Sequence, residues 1–341
     1  MAQQRKIVFV LGAGASLGAG AYTSVQGGGH LPIPTQATFW PTLLRFCHSL
    51  ENRRDIESFL FRYFLGYDRV PARSTSTHRR RQLRSVDVEE VFTFLSERAR
   101  APSTSPALRG YTTRIWTALV TELANVFSRF GANSQTRRIY RNLVDNFVRS
   151  RDTIVSFNYD LVFERSLRSS DKWHYEGLST VPHSIGVLKP HGSINWEDAN
   201  PIAVTSSPTR PLLVAPTHLK FVQTTASAPD VHTTGYLDHA PQIRDVWTAM
   251  EKQMREAKAI VFIGYSFPVA DLYFSSVLRS VLADRDGAPG VAIVNPDAVA
   301  IRARLTARFP LERVTAYFDL QTFVDGSRQS LLSGLNQENA T

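Results

Sequence analysis

The segment KIVFVLGAGAS, residues 6–16, constrains the fold more than any other part of the chain. Its apolar run is continuous, so a strand formed here has no solvent face and belongs in a sheet covered on both sides. Such sheets are parallel and carry helices. The run then breaks into Gly12, Ala13, Gly14, Ala15, Ser16, Leu17 and Gly18, a loop with almost no side chains. Backbone without Cβ atoms can turn tightly, or can bring amide N–H groups close to a phosphate at a helix N-terminus. Taken by itself the loop fits either use.

The rest of the chain supplies the alternation that a parallel sheet needs. TIVSF (153–157), GVLKP (186–190), PLLVA (211–215), AIVFIGY (259–265), VAIVN (291–295) and VTAYF (314–318) read as strands. Between them, YDLVFERSLRS (159–169), IRDVWTAMEKQMREA (243–257), VADLYFSSVLRSVLA (269–283) and DAVAIRARLTARF (297–309) read as helices. From Thr35 to about Ser150 the pattern changes to helix, with five segments that carry apolar residues three and four apart. Within that stretch Asp87, with Glu90 three residues on, has the form of a helix N-cap. These patterns predict an α/β fold, a Rossmann-like doubly wound parallel sheet with an inserted helical module. Residues 1–34 and 151–326 form the Rossmann-like domain in this reading, 35–150 the module and 327–341 a weakly ordered tail.

With 341 residues, 43% of them apolar and 20% charged, the chain can bury a large core. No stretch reaches the roughly 18 apolar residues of a membrane span, and the short N-terminal apolar run lacks the form of a secretion signal. A cytoplasmic protein without membrane contact is expected. The single cysteine, Cys47, excludes an internal disulfide and a cysteine-based zinc ribbon. A net charge of +9 comes mostly from arginine, which favours phosphate and carboxylate partners. It concentrates in RVPARSTSTHRRRQLR, residues 69–84, which has no acid and no apolar period. That segment reads as a flexible basic loop, either solvated or docking nucleic acid or an acidic partner.

Several motifs narrow the chemistry. The glycine spacing 12, 14, 18 matches the dinucleotide fingerprint except that the third glycine falls one residue late. A dehydrogenase of that pattern places an acid about 20 residues on, yet residues 1–50 contain no Asp and no Glu. No Gly-Lys-Ser/Thr follows either, so a Walker loop is absent. Polar residues sit at the ends of other predicted strands: Asn158 and Asp160, His191, Gly264 and Ser266, and Asn295. In an open α/β sheet the carboxyl ends of strands border one crevice, where these segments should meet the glycine loop.

GAGAS (12–16), SFNYD (156–160), KPHGSINW (189–196), GYSF (264–267) and VNPD (294–297), in that order, resemble the sirtuin-like NAD-binding domain, and within it the NADase branch of bacterial antiphage defence. The resemblance implies Asn158 and His191 as a catalytic pair, with Gly12, Ala13, Gly14, Ser16, Asp160, Gly264, Ser266 and Asn295 around NAD. PLLVAPTHLK resembles a Pro-Thr-x-x-Lys feature of that branch, which adds Lys220 as an NAD contact. Two departures matter. Residues 192–263 lack the four cysteines of sirtuin deacylases, which argues against deacylation and against zinc; and LPIPTQATF is only a distant counterpart of the sirtuin nicotinamide-side segment.

The residue types suit NAD cleavage. Nicotinamide leaves a cationic ribosyl group as a neutral molecule, so what must be supplied is a positioned water. An asparagine amide holds water or ribose hydroxyls without opposing a forming cation, and a histidine takes a proton near neutral pH. Asp160 could stabilise developing positive charge or order the Asn158 loop. Asn158 alone is equally a turn former, His191 is one of nine histidines, and Phe39 and Trp40 are core residues or line a nicotinamide pocket.

The function expected is an NAD hydrolase releasing nicotinamide and ADP-ribose as an NAD-depleting antiviral effector. A homo-oligomer, a nucleic-acid-handling ATPase or an Argonaute-type protein would gate it. The alternatives are a non-catalytic NAD or ADP-ribose sensing module and an ADP-ribosyltransferase.

Overall fold

The computed structural model describes residues 6–25, 28–70, 76–214, 240–268, 271–283 and 287–335. In chain order the elements begin with β1 (Ile7–Leu11), α1 (Ala13–Gly18), β2 (Tyr22–Ser24) and β3 (His30–Pro32). Six helices follow: α2 (Phe39–Phe46), α3 (Leu50–Tyr63), α4 (Ser76–Leu83), α5 (Val88–Arg100), α6 (Pro106–Ser128) and α7 (Ser134–Phe147). Then come β4 (Thr153–Ser156), β5 (Trp173–Tyr175), β6 (Ile185–Leu188), β7 (Gly192–Glu197), β8 (Ala203–Val204) and β9 (Pro211–Leu213). The last are α8 (Ala240–Glu256), β10 (Ala259–Ile263), α9 (Leu272–Ala283), β11 (Gly290–Val294), α10 (Ala298–Arg308), β12 (Val314–Tyr317), α11 (Leu320–Val324) and α12 (Arg328–Gly334). No helix among the described residues is long and apolar enough to cross a membrane.

The chain divides into two compact units, one of Met1–Ile33, Phe130–Gly192 and Pro241–Thr341, the other of Pro34–Arg129 and Ser193–Ala240. The first holds a seven-stranded sheet in the order β12-β11-β10-β1-β4-β6-β5, and every pairing in it is parallel. This is the Rossmann-like sheet that the alternation predicts. The chain leaves β1 toward β4 on one side and returns through β10 on the other, so the order reverses beside β1. β1, β10 and β11 are buried at every position, as continuous apolar strands covered on both faces must be.

Register carries that order to the strand ends. Leu11 lies level with Ser156 and with Ile263, and Ile263 with Val294. The ladder runs one step further, with Phe157 N donating to Leu11 O at 3.0 Å, Gly12 N to Ile263 O at 3.0 Å and Gly264 N to Val294 O at 2.9 Å. The loops after β1, β4, β10 and β11 therefore start side by side.

The second unit builds its core around α6, against which α2, α3, α5 and β9 pack. Phe59 meets Tyr63, Phe64, Phe94 and Tyr111 in one aromatic cluster. Phe39 and Trp40 are core residues of this unit, and Trp40 Nε1 donates to Val86 O at 3.0 Å. Asp87 caps α5 as its spacing predicts, accepting from Glu89 N at 2.8 Å and Glu90 N at 3.0 Å.

Four sequence expectations are corrected. Residues 159–169 do not form a helix; a short 3-10 turn, Glu164–Ser166, stands there. The Asp160 carboxylate takes Val162 N at 2.9 Å and Ser166 Oγ donates to Val162 O at 2.6 Å, so side chains occupy groups that a helix would need. PLLVA supplies β9 at the edge of a separate sheet ordered β8-β7-β9, where Pro211 needs no N–H. The basic segment is not a loop over Ser76–Leu83 but α4, whose Leu83 is buried while Arg79 pairs with Glu57 at 3.7 Å. Residues 71–75 of that segment lie outside the described residues. Finally, in the stretch read as a weak tail, Arg328–Gly334 form α12, pinned by the Arg328 guanidinium on the Asp152 carboxylate, while residues 336–341 of that stretch lie outside the described residues.

Candidate active site

The glycine loop packs against another loop. Gly14 N donates to Gly264 O at 3.0 Å, and a Cβ added at Gly14 would meet Gly264 O at 2.8 Å and Gly264 Cα at 2.9 Å. A Cβ at Gly12 would lie 2.7 Å from Gly264 O. Gly264 has φ of +60°, and its own Cβ would sit 2.0 Å from Ala15 N. Side chains are absent here because two backbones from β1 and β10 pass at contact distance. α1 starts inside the loop with Gly12 as N-cap and no side chain capping it.

Ser16 and Asn158 join that loop to the end of β4. Asn158 Nδ2 donates to Gly12 O at 3.0 Å and to Ser16 Oγ at 3.3 Å. Ser16 Oγ in turn donates to the Asp160 carboxylate at 3.3 and 3.4 Å. Both Asn158 amide hydrogens are thus committed, which leaves Oδ1 as the acceptor of that side chain. All three residues are buried, and burial pushes the Asp160 carboxyl above the usual carboxylate range against the opposing pull of Lys189.

His191 arrives on a turn at the end of β6. Gly192 N donates to Lys189 O at 2.9 Å, Pro190 and His191 occupy the corners, and Gly192 has φ of +74°. The buried imidazole packs edge-on to Phe157, with ring centroids 4.9 Å apart, directly before Asn158 in the chain. Trp247 of α8 fixes the turn from outside by donating Nε1 to Pro190 O at 3.0 Å. Phe157 also contacts Tyr265 and Phe274, so the ends of β4, β6 and β10 share one aromatic cluster.

The structure links Gly12, Gly14, Ser16, Asn158, Asp160 and Gly264 by direct contact, with His191 joined through Phe157. Ala13 and Ser266 are exposed at the same strand ends; the Ser266 carbonyl accepts from Arg304 at 3.0 Å. Asn295 closes its own turn, Oδ1 accepting from Asp297 N at 2.9 Å. Lys220 lies outside the described residues. Among the described residues no group of three or more His, Cys, Asp or Glu could hold a metal ion.

Sequence reasoning passed over Lys189, although it stands in the KPHG motif. Its side chain is fully buried, with Nζ 2.7 Å from Asp160 O and 2.9 Å from Glu164 Oε1. A lysine two residues from the proposed histidine, directly after an apolar strand, was the available signal. A polar cavity of about 790 Å³ at the opposite, amino ends of the strands is lined by Lys6, Thr153, Glu176, Gly186 and Gln253, among others, and by none of the motif residues.

No curated protein matches the chain. The family model of the SIR2-like domain does, over residues 152–312, a range that holds Asn158, Asp160, His191, Gly264, Ser266 and Asn295 and starts after the glycine loop. The stretch from β4 to α10, which holds five of the seven strands of the sheet and the polar strand ends after β4, β6, β10 and β11, is therefore similar to a SIR2-like domain, a likeness consistent with NAD binding and cleavage.

Proposed function

We propose that the protein hydrolyses NAD at the nicotinamide–ribose bond, with Asn158 and His191 as the catalytic pair. The observation that carries this reading is the commitment of Asn158 Nδ2, from the region that matches the SIR2-like domain, to Gly12 O and Ser16 Oγ of the glycine loop that precedes it. An asparagine held by both amide hydrogens presents its Oδ1 in one fixed direction, as a group that must place a water or a ribose hydroxyl should. In the reaction the C1′–N bond breaks, the electron pair leaves with nicotinamide, and water adds its oxygen to C1′. His191 accepts the proton that water releases. The glycine loop, where Ala13 is exposed, and Gly264 line the place of the pyrophosphate, Ser266 and Asn295 flank the nucleotide, and Lys220 contacts its phosphate or ribose.

The biological setting proposed is that of the antiphage NADase branch, without a zinc ribbon, in the cytoplasm. An enzyme that depletes NAD is toxic when always active. A second copy, or a nucleic-acid-handling partner of ATPase or Argonaute type, gates it. The test is release of nicotinamide and ADP-ribose from NAD by the purified protein, alone and with candidate partners. Asn158→Ala and His191→Ala should each lower that rate by about 10²- to 10⁴-fold while the proteins stay folded. Near-normal turnover by both variants of an active enzyme would refute the pair. ADP-ribose found attached to an acceptor would indicate transfer, and tight NAD binding without products would indicate a sensor.

A further inference from the structure

Lys189 has no part in the reaction just described, yet its side chain is fully buried. An ammonium taken from water costs several kcal/mol unless it is paired and hydrogen-bonded, and an apolar pair of similar volume often serves stability as well or better. Stability alone therefore does not account for a lysine here. Its partners do. Nζ donates to the main-chain carbonyl of Asp160 at 2.7 Å and to Glu164 Oε1 at 2.9 Å. Glu164 Oε1 also accepts from Tyr175 at 3.3 Å.

The location of the first bond matters most. β4 and β6 are neighbours, but their register ends at Val155 with Leu188. Beyond it the chains separate into the Asn158 loop and the His191 turn. Asp160 stands two residues after Asn158, and Lys189 two residues before His191. The Lys189 ammonium spans the gap just past the last ladder pair, where a bond between the two loops has most effect on their spacing.

We infer that Lys189 is a positioning residue, which through the Asp160 carbonyl sets the spacing between Asn158 and His191. Its effect on rate rests on the NAD-cleavage reading; its effect on geometry does not. Lys189→Met alone strands the Glu164 carboxylate, so the informative protein is Lys189→Met/Glu164→Gln, which removes both charges. It should unfold near the wild-type temperature and bind NAD with little change in KM, while kcat falls by about 10²-fold, the cost of a displacement on the order of 1 Å. Its crystal structure should show the Asp160 segment moved away from the His191 turn. Glu164→Gln alone keeps the Asp160 bond and should retain most of kcat.

A double variant with wild-type kcat, or with both loops unmoved, would overturn the inference. So would failure of the double variant to fold, which would make Lys189 a stability residue, or an equal loss of kcat in Glu164→Gln. If the wild type releases no nicotinamide, the NAD-cleavage reading falls, and the crystal structure of the double variant still decides the positioning role.

Discussion

At Gly264 the consequence of a side chain can be placed atom by atom. A Cβ there would lie 2.0 Å from Ala15 N and 2.1 Å from Gly14 C, backbone atoms that cannot rotate away, and φ of +60° disfavours any L side chain. Gly264→Ala should therefore destabilise the protein by about 1–3 kcal/mol or more, read as a lower denaturant midpoint. Gly110→Ala is the control: Gly110 lies within α6 with nothing within 4 Å of the added Cβ, so it should stabilise by about 0.5–1 kcal/mol. Equal midpoints for Gly264→Ala and the wild type would show that the two loops do not touch. The need for glycine at 12 and 14 was plain from the sequence, but its reason was not. The pattern pointed to a ligand's pyrophosphate, while the nearest atoms belong to a loop about 250 residues away, which no local pattern reveals. Asp160 gives a second test. Burial raises its pKa in the fold, so this group favours folding most below the ordinary value near 3.8 and progressively less as pH rises through the raised value. Asp160→Asn should remove that decline, seen as a flatter pH profile of unfolding midpoint than the wild type's. Parallel profiles would mean the carboxyl titrates normally.

Elements were legible where burial is uniform and obscure where side chains compete with the backbone. β1, β10 and β11 are buried along their whole length and show it as unbroken apolar runs. The 159–169 stretch has helical spacing, but Asp160 and Ser166 use their side chains on the backbone of Val162, and β5 follows after a few residues. α4 lacks any apolar period because Leu83, its last residue, is its anchor in the core, while Arg80 and Arg81 face solvent. Caps were readable when the acid stands directly before an apolar run, as at Asp87. Asp319 caps α11 in the same way, accepting from Thr322 N at 2.7 Å, and this bond holds its carboxyl below the usual range. Its contribution is present above the ordinary value near 3.8 and is lost as pH falls through the depressed one. Asp319→Ala should cost about 1 kcal/mol at neutral pH, with the gap to wild type closing under acid. A gap that persists at low pH would assign the effect to packing and not to the cap.

At the scale of the whole molecule, the net positive charge suits phosphate or carboxylate partners. The surplus of +9 is carried in part by α4 and the residue after it, where Arg80, Arg81 and Arg84 are exposed while Arg79 is tied to Glu57. None of these arginines belongs to the sheet unit that carries Asn158 and His191. None of them is a motif residue either, and on that ground a regulatory contact with nucleic acid or an acidic partner is expected to be separable from the chemistry. Arg80→Ser/Arg81→Ser/Arg84→Ser leaves the Glu57 pair and the buried Leu83 in place, so the helix keeps its anchor. For every DNA phosphate that these arginines neutralise, their removal should make the salt dependence of duplex binding shallower by about 0.9 in logarithmic slope. The expected result is a shallower slope for the triple variant together with unchanged basal NAD turnover. Equal slopes across a salt series would remove nucleic acid as the partner of this segment and leave an acidic protein surface to be tested in the same way. A fall in basal turnover would instead place α4 at the active site.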